Sequence, residues 1–184
     1  VGLAFLSICA FWQMYDSVVP LILTKTFHMN ETFSGAIMAA DNILALFLLP
    51  FFGSLSDRSH SKIGKRMPFI LFGTGCAVIL MNILPLLDNS YAAQPSGLKT
   101  ASFVIVLGLL LVAMGTYRSP AVALMPDVTP KPLRSRANAI INLMGAVGGI
   151  LYLGVAAVLY PNSKTAGLDH VNYQPLFIVV SAIM

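Results

Sequence analysis

The sequence predicts an all-α membrane protein, a bundle of five complete spanning helices and the start of a sixth. Hydrophobic residues fill 57% of its 184 positions and charged residues only 10%, whereas an ordinary soluble domain carries roughly 25% charged residues. Crossing a hydrocarbon core of ~30 Å takes about 20 helical residues, and five apolar segments reach that length. The segments are 1–24, 32–56, 67–87, 101–126 and 137–160, and a sixth begins at Pro175. Because both ends of the chain fall inside apolar runs, we expect a fragment of a longer protein.

Basic residues are concentrated in two of the loops between these segments. Loop 57–66 carries a net charge of +3 and loop 127–136 one of +2, while loops 25–31, 88–100 and 161–174 are each neutral. Cytoplasmic loops of membrane proteins carry the excess of Lys and Arg, so both basic loops are predicted to be cytoplasmic in a cell (inner) membrane. This distribution argues against a nucleic-acid partner as the reason for the net charge of +4.

The first two helices follow from their composition and their ends. Residues 1–24 contain Asp16 and Pro20 and fit a secretory signal peptide poorly, so we interpret them as the first span. Helix 2 is predicted to begin at Asn30, a residue that suits a capping position, with Glu31 in its first turn.

The next three helices are marked by prolines, glycines and polar residues. Helix 3 is predicted to start near Pro68 and to end before a loop from Asp88 to Lys99. Helix 4 contains Pro120 and Pro126, which predict a kink or an early end at its cytoplasmic side. Helix 5 contains small residues that favour close helix packing. They are Gly145, Gly148, Gly149 and Gly154.

No residue pattern indicates a cofactor, a metal or an enzyme. Cys9 and Cys76 lie in apolar segments, where a free thiol behaves as a small hydrophobic group, and their spacing suggests neither a zinc site nor a disulfide framework. A membrane-embedded transferase would need clustered carboxylates at a cytoplasmic loop, whereas Asp57 and Asp127 each stand alone among basic residues.

The fourteen residues from Gly53 to Arg66 carry the most specific pattern. They read GSLSDRSHSKIGKR, and their charges place them in a water-facing loop between helices 2 and 3. The pattern resembles the loop between helices 2 and 3 of the major facilitator superfamily, with every fixed position filled. The matching residues are Gly53, Leu55, Ser56, Asp57, Arg58, Lys62, Gly64, Lys65 and Arg66. The alternative is a solvated basic loop that obeys topology rules only.

The resemblance implies the N-terminal six-helix half of a transporter with a 3+3 inverted repeat. Residues 1–87 and 101–184 would be its two three-helix units, and a C-terminal half would follow downstream. In the family, the loop arginine, here Arg58, pairs with an acid at the end of helix 4, for which Asp127 is the candidate, while Asp57 contacts the other half. Together with the other matching loop residues, these groups would gate the inner side by holding the outward-facing state.

A second set of residues resembles a narrower group within the superfamily. Residues 117–120, 125–127 and 134–139, which read YRSP, MPD and RSRANA, look like relatives of the sucrose and disaccharide carriers. They look more weakly like the glycoside-pentoside-hexuronide cation symporters. Sodium-coupled carriers of the melibiose type have two acids one turn apart in helix 2, whereas Asp41 is followed at i+4 by Ala45. A proton is therefore the favoured coupling ion, and sodium is the alternative.

Three charges lie well inside the predicted spans, namely Asp16, Asp41 and Arg118. An unpaired charge at the bilayer centre costs roughly 2.5–3.5 kcal/mol on an insertion scale, so such residues are functional candidates. Trp12 and Gln13 share the helix face of Asp16, and the three could hold a sugar or form a packing cluster. A carboxyl buried without a partner can carry a proton, which makes Asp16 the first candidate for coupling and Asp41 the second.

The remaining polar candidates lie on helices 4 and 5. Arg118 could bind a hydroxyl or carboxylate of a substrate, or pair with Asp41 or another acid of the bundle. Asn138 and Asn142, at i and i+4, form one polar stripe that could face the substrate cavity or another helix.

Together these observations predict a secondary carrier that imports a small-molecule substrate, a sugar or glycoside, with protons and by alternating access across a lipid bilayer. A drug-efflux carrier shares the loop, but its helix 4 usually continues with a Gln-Gly pattern where Arg118 is followed by Ser-Pro. A non-transporting membrane sensor with a carrier fold is the alternative from another class.

Overall fold

The computed structural model describes residues 1–61, 63–161, 165 and 167–184. Over this part the chain forms six α-helices, numbered α1 to α6, and the first five, with the turns that adjoin two of them, are long and apolar enough to cross a membrane. They are α1 Gly2–Leu21, α2 Glu31–Arg58, α3 Met67–Ala93, α4 Gly97–Val128, α5 Arg134–Leu159 and α6 Gln174–Ile183. A π-helical turn, Ile22–Thr26, extends α1, and a 3-10 turn, Lys131–Leu133, precedes α5. The prediction of five spans and a partial sixth is confirmed.

Two helix starts lie where Asn30 and Pro68 predict them. The Asn30 side chain accepts a hydrogen bond of 3.2 Å from the Thr32 backbone N–H, which caps α2. Pro68 lies in the first turn of α3, where its missing N–H leaves no hydrogen bond unmade.

One predicted helix end is wrong, and for another the structure excludes one of the two predicted alternatives. α3 continues through Asp88 to Ala93, so the loop before α4 is residues 94–96 rather than Asp88 to Lys99. The Asp88 side chain is fully buried, which places this acid inside the bundle. α4 does not end early at Pro120 or Pro126, because neighbouring helices and local adjustment can compensate a missing N–H in a membrane helix.

The helices pack mainly in three pairs: α3 with α4, α1 with α5, and α2 with α4. α1 is the most buried of the five spans. A Cβ at Gly148 would collide with the backbone of Leu6, and one at Gly73 would lie 2.7 Å from the Tyr117 nitrogen. These two glycines therefore permit the close approach of α5 to α1 and of α3 to α4.

Candidate functional site

An open cavity of about 490 Å³ lies between α1 and α5. Small-molecule sites typically occupy about 300–1,000 Å³, so this space suits a compound of that size. One wall is polar and comes from α1, while the facing wall is apolar and comes from α5. The lining residues are Cys9, Trp12, Gln13, Asp16, Gly145, Ala146, Gly149, Ile150 and Leu153.

A second, much smaller cavity of about 20 Å³ lies between α1, α2 and α4. Trp12, Asp41 and Arg118 contribute its polar groups, and the other lining residues are apolar. A cavity needs roughly 10–15 Å³ to hold one water molecule, so this space accommodates about one. Trp12 lines both cavities and is the wall they share.

Aromatic contacts hold Trp12 in this position. Its ring packs edge-on against Phe11 and Tyr15, each with ring centroids 5.4 Å apart. The Arg118 guanidinium carbon lies 5.4 Å from the Trp12 ring centre, within the range of a cation–π contact. Of the two alternatives for Arg118, the described residues do not show an ion pair with Asp41 within 4.0 Å.

Two residues that line the small cavity each have a polar atom without a partner. Trp12 Nε1 and Asp41 Oδ1 are buried, and neither has a hydrogen-bond partner among the described residues. Nε1 is a donor and Oδ1 an acceptor. Buried polar groups are nearly always hydrogen-bonded, which makes this pair a candidate contact for a polar ligand.

The predicted site residues separate into those at the cavities and those away from them. Asp16, Gln13 and Trp12 share the polar wall of the large cavity, whereas Asp41 and Arg118 meet Trp12 at the small one. Asn138 and Asn142 are exposed on α5 and line neither cavity. The part of α5 that lines the large cavity begins at Gly145.

A cluster of charges joins the ends of α2, α3 and α4 around Arg66. The Arg66 side chain is only 7% exposed, and its Nε donates to Asp127 Oδ2 at 2.5 Å. Its terminal nitrogens contact Asp57 Oδ1 at 2.7 Å and Ser56 Oγ at 3.2 Å. The expectation that Arg58 pairs with Asp127 is therefore wrong, because Arg66 occupies that position.

The path of the loop explains this exchange of arginines. Arg58 is exposed in the last turn of α2, whereas Arg66 precedes the first residue of α3. Between them Gly64 has a φ of 109°, a conformation that glycine adopts without strain, and the reversal returns Arg66 to α2 and α4. Lys62 lies outside the described residues, and Lys65 is exposed.

Gly53, the first residue of the loop pattern, has a packing role. A Cβ there would lie 3.2 Å from Ser119 Oγ, and that hydroxyl donates to the Leu49 carbonyl of α2 at 2.7 Å. Glycine at this position thus leaves room for a hydrogen bond between α2 and α4.

Sequence reasoning missed one contribution to the cavity lining and one contact between helices. Gly145 and Gly149 were interpreted as packing residues, yet both also line the large cavity; their i, i+4 spacing on one helix face was the available signal. The Tyr117 hydroxyl lies 2.8 Å from Ser7 Oγ and links α4 to α1, a contact that no local pattern indicates.

Comparison with known proteins agrees with this architecture. The family model described as Major Facilitator Superfamily matches residues 1–184. A sucrose transport protein of Arabidopsis thaliana is 35% identical over 145 residues, which cover 72% of this chain and 24% of that protein. A sucrose transport protein of Oryza sativa subsp. indica is 33% identical over 141 residues, 69% of this chain and 28% of that protein.

A more distant relative covers more of the chain. The alpha-ketoglutarate permease of Escherichia coli is 26% identical over 168 residues, 91% of this chain and 34% of the permease. No solved structure matches the chain significantly. The chain thus spans about a quarter to a third of the length of these relatives. With its five apolar spanning helices and a family match along its whole length, this multi-pass membrane protein belongs to the Major Facilitator Superfamily.

Proposed function

We propose that this chain forms the N-terminal half of a secondary carrier that imports a sugar or glycoside by alternating access. The observation that carries the proposal is the convergence of Trp12, Gln13 and Asp16, together with Asp41 and Arg118, on two adjoining cavities inside the bundle. Alternating-access carriers bind substrate near the middle of the membrane. The similarity to sucrose transport proteins supports a sugar as the substrate.

The chemistry of the larger cavity suits a sugar. The Trp12 ring can stack on the C–H face of a pyranose, while Gln13 and Asp16 hydrogen-bond its hydroxyl groups. The buried Trp12 Nε1 and Asp41 Oδ1 offer a further donor and acceptor beside them. A C-terminal half of the same protein would supply the opposite side of the cavity.

We propose a proton as the coupling ion and Asp16 as its main carrier. Asp16 is exposed to the large cavity, and no described cation lies within 4.0 Å of its carboxylate. Such a carboxyl group can take up or release a proton through the cavity. This proton transfer changes the charge of a group that lies beside the proposed substrate site. Asp41 is the second candidate, since its Oδ1 has no partner among the described residues.

The loop between α2 and α3 is proposed to gate the inner, cytoplasmic side. Arg66 fixes Asp57 and Asp127 within this chain, while the exposed Arg58 and the 54% exposed Asp57 side chain stay accessible to a helix of the C-terminal half. In this proposal residues 57–66 and 127–136 lie in the cytoplasm. The contact of Arg58 and Asp57 with the C-terminal half would then form in the outward-facing state and break as the two halves move relative to each other.

An organic acid is the second candidate substrate. Arg118 lies over Trp12 rather than in an ion pair with a described acid, and a guanidinium matches the geometry of a carboxylate. The similarity to an alpha-ketoglutarate permease points in the same direction.

Uptake by the full-length protein in proteoliposomes tests these proposals. Labelled mono- and disaccharides and α-ketoglutarate are offered with and without an imposed inward proton gradient. Accumulation of one sugar that the gradient stimulates supports the proposed function, and accumulation of the acid instead supports the second candidate. Uptake of none under either condition would contradict both and favour efflux or a sensor.

A further inference from the structure

A buried acid lies at the end of the bundle opposite the basic loop, away from both cavities. Asp88, in the penultimate turn of α3, is 0% exposed, and neither carboxylate oxygen has a hydrogen-bond partner among the described residues. Among the described basic side chains, that of His170, in the segment before α6, lies within 4.0 Å of it, with Nδ1 3.7 Å from Asp88 Oδ2. A buried carboxylate without a partner is strongly unfavourable, so this pair needs a physical explanation.

The hydrogen bonds around His170 determine which of its ring nitrogens carries the proton. The Gln174 backbone N–H donates to Asn172 Oδ1 at 3.0 Å, which fixes that oxygen as an acceptor. Asn89 Nδ2 donates to the same oxygen at 3.0 Å. Asn89 Oδ1 must then face His170 Nε2, 3.0 Å away, and because an amide oxygen only accepts, Nε2 is the donor.

The neutral imidazole therefore has a bare acceptor at Nδ1. This nitrogen faces the Thr26 hydroxyl at 3.2 Å and the Asp88 carboxylate at 3.7 Å. A hydroxyl can donate or accept, whereas a carboxylate can only accept. Without an additional proton, two acceptors, His170 Nδ1 and the Asp88 carboxylate, face each other. When a proton binds at Nδ1, the imidazolium and the carboxylate form an ion pair, and Thr26 Oγ1 can accept a hydrogen bond from Nδ1.

We propose that Asp88 and His170 form a proton-binding site, separate from the central acids, whose occupancy fastens residues 167–173 to the ends of α1 and α3. Because the proton converts a buried uncompensated charge into a pair, it stabilises the fastened segment at acidic pH. That stabilisation is lost as the pH rises and the pair gives up its proton.

Other ionisable groups near the pair are exposed or lie beyond it. A cavity of about 200 Å³ beside His170 is lined by Lys25 and His28 after α1, Tyr91 of α3, and Asp169 of the same segment. Lys25, His28 and Asp169 are exposed to solvent, which screens their charges. Tyr173, at the start of α6, is a further titratable neighbour of Asp88. Fully buried Asp88 is therefore the dominant partner.

Nitrogen NMR of the full-length protein in liposomes, labelled with ¹⁵N-histidine, tests the site directly. The His170 signals are identified by their loss in His170→Gln. We expect the Nε2–H tautomer at alkaline pH and proton uptake at Nδ1. Asp88→Asn should reduce the fraction of His170 that is protonated at Nδ1 at a given pH, while the adjacent exposed Asp169→Asn changes it little. A neutral Nδ1–H tautomer, or equal protonated fractions in Asp88→Asn and the wild type, would overturn the proposal.

Hydrogen exchange provides a second test that does not depend on Asp88→Asn folding. After correction for the intrinsic pH dependence of exchange, the backbone amides of residues 167–173 should be better protected near pH 5.5 than near pH 8, roughly either side of imidazole titration. His170→Gln, at a side chain already 29% exposed, should remove this difference, and Asp169→Asn should retain it. A difference that persists in His170→Gln would contradict the proposal.

Discussion

Arg66 joins the ends of three helices through one side chain. It precedes α3 and contacts Ser56 and Asp57 of α2 and Asp127 of α4. A guanidinium presents its donors in one rigid plane, so a single buried arginine can serve three acceptors. Its partners Ser56 and Asp57 belong to α2 and its partner Asp127 to α4, so the cluster ties the ends of α2, α3 and α4 to each other.

Replacing Arg66 should therefore cost more stability than replacing Arg58. Arg66→Ala removes hydrogen bonds from two carboxylates, and we expect a loss of roughly 1–3 kcal/mol in unfolding free energy. Arg58→Ala, at an exposed neighbouring position, should stay within about 0.5 kcal/mol of the wild type. Thermal unfolding of the full-length protein in detergent measures both, and equal losses would contradict the assignment. Arg66→Lys should recover only part of the loss, because an ammonium lacks the planar fork.

Asp16 should be required for coupling but not for passage of substrate. In Asp16→Asn the cavity keeps its shape and loses its exchangeable proton, so accumulation driven by an inward proton gradient should vanish. Exchange of labelled sugar at equal concentrations should continue. Glu31→Gln, at the exposed start of α2, is the control and should retain both activities. Normal accumulation by Asp16→Asn would remove Asp16 from the mechanism.

The parts of the site that sequence could predict are those that depend on a single helix. Helical spacing alone places Trp12, Gln13 and Asp16 on one wall. The choice of Arg66 over Arg58 depends on the reversal at Gly64, and the position of Asn142 depends on how α5 rotates against α1. Such contacts between distant segments have no local signal.

At the scale of the helices, glycines control how closely α5 and α3 approach their neighbours. A Cβ at Gly148 would meet the Leu6 backbone, whereas one at Gly154, further along α5, would have no neighbouring helix within 4 Å among the described residues. Gly73 and Gly75 show the same contrast on α3, where only Gly73 meets α4. A small residue is thus needed at Gly148 and Gly73 but not at Gly154 and Gly75.

The α5 pair gives a matched test of this packing. Gly148→Ala forces α5 away from α1, and we expect a loss of about 1–3 kcal/mol, as for other overpacked sites. Gly154→Ala should be neutral or stabilising by up to about 1 kcal/mol, since alanine favours the helix more than glycine. Thermal unfolding in detergent measures both variants. A similar loss in both would show that the close contact with Leu6 does not limit stability.

Helix ends were predicted less well than helices, and Asp88 shows the reason. A polar residue after an apolar run suggests a loop, but the pattern Leu84, Leu87, Asp88 and Tyr91 continues the helical period that faces the bundle. Its burial brings it within 3.7 Å of His170, 82 positions later in the chain, a contact with no local signal. The cap at Asn30 and the first-turn Pro68 need no such distant partner and were predicted correctly.

At the scale of the whole molecule, two of the helix contacts are compatible with the proposed inverted repeat. In such a repeat, α1 corresponds to α4, α2 to α5 and α3 to α6. The contact between α1 and α5 then corresponds to the contact between α4 and α2, and both contacts are extensive. The same correspondence leaves the contact between α3 and α6 in place. The two units, 1–87 and 101–184, therefore interlock, and their repeat stays a prediction.

The orientation in the membrane can be tested with two single cysteines in a cysteine-free background of the full-length protein. The excess of basic residues predicts that residues 57–66 face the cytoplasm. In right-side-out vesicles, a membrane-impermeant maleimide should label Ser96→Cys directly and Ser61→Cys only after permeabilisation. The reverse pattern would invert the proposed topology.

Trp12 belongs to both internal spaces, so its indole ring acts as a partition. On one side is a chamber large enough for a sugar, and on the other a chamber that fits about one water molecule beside Asp41. Any movement of the ring changes both volumes at once. Because Arg118 lies over the same ring and Asp41 lines the smaller cavity, a solute that displaced Trp12 would change the surroundings of both charges.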